Sequence, residues 1–320
     1  MATLGEFELI ERFFTRPTGR AVLGIGDDCA LIAPAPGLAL AVSCDMLIEG
    51  RHFLSTVAPE RLGHKALAVN LSDLAACGAR PTAFTLALAL PRAEEDFLAA
   101  FARGLFALAD RYGCELVGGD TTRGPLAICI TVFGEVARES ALLRSGARAG
   151  DDVWVSGTLG DARLALEAFR GTLSLAEAGF AQARLAMEMP EPRIDLGLAL
   201  QGIASSAIDV SDGLAGDLAH VLRRSGVGAV VDIDALPRSA VLAAQPAATQ
   251  RECLLAGGDD YELVFTADAG RRAEVLGAGA SAGVRVTRIG AVEAGQGLRF
   301  VDGTGRPQPG PGPSFDHFRS

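Results

Sequence analysis

Two α/β or α+β domains are what the sequence predicts, and three observations predict them. Apolar runs of strand length alternate with amphipathic segments of helix length along the chain, the pattern of sheets layered with helices. The alternation breaks at RESALLRSGARAG (138–150), which is polar, arginine-rich and interrupted by glycine. The length of 320 residues, 49% of them hydrophobic, is ample for two moderate cores. The expected domains are therefore 1–138 and 139–320.

Each element has its own reason. Residues 4–14 read as an amphipathic helix with Leu4, Phe7, Ile10, Phe13 and Phe14 on one side. GLALAVSCDMLIEG reads as a buried strand running into an acidic segment. A helix starts at Pro59, with proline in its first turn, and runs to about Ala76, where Gly78 and Pro81 stop it. TAFTLALALP is a strand, and EEDFLAAFARGLFALADRYG is a helix with acids at its N-terminus, where the dipole favours them. CELVGGDTTRG is a short strand ending in a glycine loop, and PLAICITVFGEVA is a long strand.

The second half repeats the alternation. DDVWVSG is a strand, DARLALEAF and RIDLGLALQGIA are helices, SSAIDVSDG is a strand and turn, and LAGDLAHVLRRSG is a helix. GAVVDIDAL, YELVFTAD and VRVTRIGAV are further strands, and the tail is rich in proline and glycine.

Composition narrows the function. A net charge of −10 without a basic tract disfavours nucleic acid. The six cysteines form no CxxC pair and lie mostly in apolar runs, so reduced core thiols are expected rather than zinc or disulfides. The N-terminus lacks the pattern of a signal peptide, and TAFTLALALP is about half the length of a membrane span, so a cytoplasmic protein is expected. Lys65, in GHKAL, is the only lysine, which excludes a Walker A loop; the protein-kinase HRD and DFG elements are absent too.

Aspartates dominate what remains. Asp27 and Asp28 in GIGDD, Asp45 in AVSCDM, Asp120 in LVGGDTT, Asp209 and Asp212 in AIDVSDG, and Asp259 and Asp260 in AGGDDYEL each end an apolar run beside small residues. Any one of them could be a turn residue or a helix cap, and GDDVWVSG (150–157) reads as an ordinary turn into a strand. Asp73 differs, because it lies within a helix between Leu71 and Leu74 and shares a face with Asn70. Carboxylates converging on one cleft repel and need cations, and oxygen-liking Mg²⁺ bridges carboxylates to substrate phosphates. The backbone of GGD (118–120) can approach a phosphate closely. A Mg-nucleotide enzyme without a P-loop follows; the aspartates alone also permit a metal-dependent phosphohydrolase.

GIGDDCALI, SCDMLIEGRHF, KALAVNLSDLAACGARP, LVGGDTTRGP, AIDVSDGLAGDLAHVL, GGDDYELVFT and the terminal FDHF occur in the order and spacing of the thiamine-monophosphate kinase family, which the chain resembles over nearly its whole length. The family's superfamily includes aminoimidazole-ribonucleotide synthetase, selenophosphate synthetase and a hydrogenase maturation protein. The resemblance implies an N-terminal domain that binds ATP and Mg²⁺ and pairs its mixed sheet with that of a second subunit into a barrel. It implies a C-terminal α/β domain that completes the nucleotide and substrate site.

Carried over by motif, Asp28, Ser43, Cys44, Asp45, Asp73, Asp120, Asp209 and Asp212 are the implied Mg²⁺ site. Ser43 and Cys44 stand where the family uses main-chain or hydroxyl oxygens. Gly119, Asp120, Arg144 and Ser211 are the implied ATP contacts, and His52, Asp260, Glu262 and Phe318 the implied substrate contacts, with Phe315 beside Phe318 in the tail. Asp259 stands where the family motif has glutamate. The implied reaction is direct transfer from ATP to thiamine monophosphate, assisted by several Mg²⁺ ions, in a homodimer that uses neither nucleic acid nor membrane. Other ATP-dependent synthetases of the superfamily and a non-catalytic nucleotide-binding regulator are the alternatives.

Overall fold

The computed structural model describes residues 5–311. The chain divides into two units, Met1–Leu74 with Ala79–Glu139, and Ala75–Gly78 with Ser140–Ser320. In the first, β1 (Ala39–Ile48), β2 (Arg80–Leu90), β3 (Glu115–Arg123) and β4 (Ala127–Val136) form a sheet of order β1-β4-β2-β3. The β1–β4 and β4–β2 pairs are antiparallel and β2–β3 is parallel. A parallel pair needs a crossover. Here α3 (Glu95–Tyr112) supplies it, with Glu95 and Asp96 in its first turn and Gly113 left-handed at its end.

The other long helix of this unit, α2, covers Pro59–Ala76, as proline and glycine predict. Leu62, Ala66, Leu67, Val69, Leu71 and Leu74 are all buried on it. The two helices meet at glycines. A Cβ on Gly63 would lie 2.0 Å from the Phe101 carbonyl oxygen, and one on Gly104 would lie 1.8 Å from that of Glu60. Only a residue without a side chain fits either position.

The sequence expectation fails in part for the first helix and for β1. α1 (Glu6–Leu9) runs on as a π-type turn, Ile10–Phe14, closed by Thr15 N–H donating to the Ile10 carbonyl. The wider turn changes the phase of the stripe. Leu9 and Phe14 are buried, whereas Phe7 is 82% exposed; Leu4 lies outside the described residues. β1 is an edge strand, not a buried one. Leu40, Val42, Met46 and Ile48 alternate along it on one face and are all exposed, while Leu47 on the other face is buried. Alternation sends every second side chain to the face that α2 does not cover.

The second unit is built on β5 (Asp151–Ser156), β6 (Ser206–Asp209), β7 (Gly228–Asp232), β8 (Leu263–Asp268), β9 (Val286–Glu293), β10 (Gly297–Val301) and β11 (Pro307–Gln308), in the order β11-β10-β7-β9-β5-β8-β6. Only β7–β10 is parallel. The helices α4 (Asp161–Phe169), α6 (Ile194–Ala199) and α7 (Leu214–Ser225) follow the sequence reading. The helices α5 (Glu177–Glu188), α8 (Ala240–Ala243), α9 (Ala247–Ala256) and α10 (Arg272–Ser281) and the strands β10 and β11 carried no comparable signal. The mixed sheets and helices make this a two-domain α/β fold. No described helix is long and apolar enough to cross a membrane.

GDDVWVSG is more than a turn. Asp151 and Asp152 begin β5 and are buried. Asp152 accepts from Arg272 Nε at 2.5 Å and Nη2 at 2.9 Å and also pairs with Arg288. Burial opposes its charge, yet the two guanidiniums hold its carboxyl below the usual range.

Candidate active site

In the first unit the site is built where α2 grips β1. Asn70 and Asp73 lie three residues apart, about 4.5 Å along the helix, and each reaches the strand. Asn70 is fully buried; its Oδ1 accepts the Asp45 N–H at 2.9 Å, and its Nδ2 donates to the Ala66 carbonyl at 3.0 Å. The Ser43 hydroxyl donates to Asp73 Oδ2 at 2.5 Å. Ser43 and Asp45 are two residues apart on the strand, so both lie on the face toward α2. Cys44 lies on the opposite face, its sulfur 3.4 Å from that of Cys129. Burial, then the neighbouring Cys44, pushes the Cys129 thiol up to about 11.

Asp120 sits in β3 opposite Ala87, because GGD is not a loop. The β2–β3 register shifts between Phe84 and Thr85, leaving Val117 as an extra residue, and Gly119 takes a φ of +150°. A Cβ there would lie 1.9 Å from the Leu86 carbonyl oxygen. The bulge lets the strand continue through both glycines and leaves Asp120 exposed at the sheet edge. In the loop before β1, Asp28 donates its N–H to Asp27 Oδ1 at 2.9 Å. His52 Nδ1 accepts the Ile48 N–H at 3.0 Å.

In the second unit two motifs clamp one another. The turn that follows Asp209 at the end of β6, holding Ser211 and Asp212, and the loop 257–262 before β8 exchange three backbone hydrogen bonds. Asp259 N–H donates to the Ser211 carbonyl, Tyr261 N–H to that of Val210, and Val210 N–H to that of Glu262. Asp259 and Tyr261 are the non-glycine residues with positive φ among those described, at 69° and 50°. Two such residues in one loop store strain of a kind concentrated at functional sites. The Tyr261 hydroxyl donates to Asp259 Oδ1 at 3.1 Å, which ties the two together.

The carboxylates of this loop have different surroundings. Glu262 is buried, receives Arg193 Nε at 2.7 Å and Nη2 at 2.5 Å, and accepts the Ser156 hydroxyl at 2.5 Å. Asp260 accepts the Gly160 N–H, which lies 2.9 Å from each of its oxygens. Burial pushes its carboxyl well above the usual range, and Glu262, Asp161 and Asp259 add to the effect. Arg193 and Ser156 were not legible as partners of Glu262, since both are far away in sequence.

Helix α7 carries further groups that the sequence reading did not single out. Near its N-terminus the buried Asp217 accepts N–H groups of the Ser211–Asp212 turn. Burial pushes its carboxyl up to about 7, against the opposing effect of the N–H bonds it accepts from this turn. At its end Ser225 accepts the N–H groups of Gly146 and Ala147 and donates to the Arg144 carbonyl at 3.3 Å. Between them, His220 Nδ1 lies 2.6 Å from Arg223 Nη2. Burial, then Arg223 and Arg144, holds the imidazole below its usual value. Exposed Arg144 is thus anchored through its backbone.

Among the described residues, no three His, Cys, Asp or Glu side chains gather on one point. Ser43 bonds Asp73 and shares a strand face with Asp45, and Asp209 and Asp212 lie three residues apart in the chain. That donor set fits Mg²⁺, which keeps several waters and takes one or two carboxylates together with substrate phosphates. Phe315 and Phe318 lie outside the described residues.

The chain matches the family models for the AIR synthase related protein, N-terminal domain over residues 26–136 and C-terminal domain over residues 148–303. It is 45% identical to the thiamine-monophosphate kinase of Salmonella typhimurium over 98% of both chains. Among solved structures it resembles thiamine-monophosphate kinase from Stenotrophomonas maltophilia, with a TM-score of 0.84 and 48% identity over 90% of this chain and 92% of the other. It also resembles AaThiL complexed with AMPPCP and TMP, with a TM-score of 0.77 and 33% identity over 89% of each chain. The sequence motifs, the two α/β domains and these likenesses agree: the chain belongs to the AIR synthase related family and, within it, to the thiamine-monophosphate kinases.

Proposed function

We propose that this enzyme transfers the γ-phosphoryl group of ATP to the phosphate of thiamine monophosphate, giving thiamine diphosphate and ADP. The observation that carries this reading is the likeness, over nearly nine-tenths of both chains, to a structure complexed with AMPPCP and TMP.

The acceptor is a phosphate oxygen. Phosphate monoesters have a second pKa of about 6 and are mostly dianions at neutral pH. The nucleophile therefore exists before binding, and no side chain is assigned as general base. The barrier is charge repulsion: two unit charges at about 4 Å cost roughly 4 kcal/mol at an effective dielectric of ~20. Asp28, Ser43, Cys44, Asp45, Asp73, Asp120, Asp209 and Asp212 would hold Mg²⁺, which when bound supplies the neutralising charge. At Cys44 the donor would be the main-chain carbonyl, since its thiol points to the face away from Ser43 and Asp45.

The protein's own groups then position the reactants. Gly119, Arg144 and Ser211 bind the nucleotide, Arg144 with a guanidinium fork suited to phosphate oxygens. His52, Asp260, Glu262 and Phe318 bind thiamine monophosphate, and the half-buried Arg193 orients Glu262 through two hydrogen bonds. The exposed apolar row Leu40, Val42, Met46 and Ile48 supports pairing of two subunits through this sheet, because such a face on an edge strand needs a cover.

Purified protein with Mg-ATP and thiamine monophosphate should form thiamine diphosphate, with inversion at a chirally labelled γ-phosphorus. Hydrolysis of ATP without an acceptor would refute the kinase reading, and retention would refute direct transfer. Sedimentation equilibrium should give twice the chain mass; a monomer would refute the subunit pairing.

A further inference from the structure

We propose that Asp217 is a positioning residue that sets the Asp209–Asp212 turn in its metal-binding shape. The inference rests on the reading above, in which those two aspartates hold Mg²⁺.

The turn has two sides and is held on both. On one side, the carbonyls of Val210 and Ser211 accept N–H groups from the loop 257–262. On the other, its N–H groups point toward α7, where Asp217 Oδ2 accepts Ser211 N–H at 3.0 Å and Asp212 N–H at 3.1 Å. Asp217 is 4% exposed, so water does not compete for these bonds. Its own N–H donates to the Gly213 carbonyl at 3.0 Å, the first closed turn of α7. One carboxylate therefore joins the beginning of the helix to the peptide groups between Asp209 and Asp212.

This placement explains an otherwise unfavourable choice of residue. A buried carboxylate beside Asp212 adds negative charge where negative charge already gathers. A neutral cap such as serine would satisfy one N–H without that repulsion. A carboxylate oxygen can accept two N–H bonds at once, each charge-assisted. The gain is a turn whose backbone is fixed before the cation arrives, so that binding does not have to order it.

The test uses the full-length protein with Asp217→Ala and Asp217→Asn, and three measurements. In the metal-free protein, exchange of the Ser211 and Asp212 amide hydrogens should quicken at least about tenfold in Asp217→Ala. Mn²⁺ binding in the presence of AMPPCP, read by electron paramagnetic resonance, should weaken about tenfold or more. The Mg²⁺ concentration for half-maximal turnover should rise in parallel, and kcat should return to within about threefold of wild type at saturating Mg²⁺.

Asp217→Asn keeps one acceptor oxygen and should shift each quantity about two- to fivefold. If Asp217→Ala does not fold, Asp217→Asn carries the test by the same measurements. Unchanged amide exchange or unchanged Mn²⁺ affinity in a folded variant overturns the proposal. So does a loss of activity that saturating Mg²⁺ does not relieve. A wild-type enzyme inactive on thiamine monophosphate, with Mn²⁺ binding still dependent on Asp217, would refute the substrate reading and leave the positioning role standing.

Discussion

The two units solve one problem in opposite ways. In the proposed mechanism both must fix aspartates at chosen places. In the first, the carboxylates of Asp45 and Asp73 sit on a strand and a helix, and the helix holds the strand through Asn70 and Asp73. In the second, Asp209 ends a strand, but Asp212 and Asp260 lie in turns, and strained backbone, a buried ion pair and Asp217 hold those turns together. Regular elements give a frame at little local cost. Loops need additional bonds but allow groups to gather that no helix or strand spacing would bring together. Substitutions in the first unit should therefore damage chemistry with the fold intact, and those in the second should alter stability and binding together.

The largest effect tests the first half of that contrast. Asp73→Asn keeps the shape of the side chain and an oxygen for Ser43. It should lower kcat by more than the ~10–100-fold typical of a supporting group, with an unchanged melting curve. Near-normal turnover would make Asp73 a purely structural link between α2 and β1.

Arg193→Met tests the second half. It leaves Glu262 buried without its bidentate partner, and breaking such a pair costs about 3 kcal/mol or more. Urea unfolding should show the loss, and the KM for thiamine monophosphate should rise several-fold. A loss of stability without a change in KM would separate Glu262 from the substrate.

The smallest effect concerns Asp260. Its carboxyl titrates higher in the folded chain than in the unfolded one, because burial and neighbouring carboxylates disfavour its charge. The unfolded state therefore releases this proton first as pH rises. Its contribution to stability is present below the ordinary aspartate range and is lost between that range and the raised folded value. Asp260→Asn should have little effect on the melting temperature near pH 3 and raise it at pH 7 in metal-free protein. An equal change at both pH values would show that its charge carries no such cost.

Local rules made much of the first unit legible. Pro59 and Gly78 bracket α2, and three-residue spacing puts Asn70 and Asp73 on one face; both are properties of neighbouring residues. The π-type turn at Ile10–Phe14 was not legible, because its closing bond depends on backbone geometry and not on residue type. The bulge at Val117, just before the two glycines, was hidden for a similar reason, since a shift of register belongs to two strands and not to one. In the second unit, Glu262 and Arg193 lie 69 positions apart, and nothing local to either names its partner. Asp217 was the group nearest to being found: an acid in the first turn of a helix, five residues after Asp212, is a signal for a backbone cap. The loop's left-handed Tyr261 had no sequence signal, because tyrosine is a poor choice for that conformation.

The crossing of α2 and α3 has a mechanical consequence. Gly63 and Gly104 let the two backbones touch, and Asn70 and Asp73 lie seven and ten residues farther along α2, about 10 to 15 Å away. A helix is stiff over that length, so the crossing acts as a pivot and the remainder of α2 as its arm. A methyl group inserted at the pivot would tilt the arm and displace its end relative to β1, where the bonds to Ser43 and Asp45 leave only tenths of an ångström. The alignment of the first unit's carboxylates is thus set by two residues that have no side chain and touch none of the site.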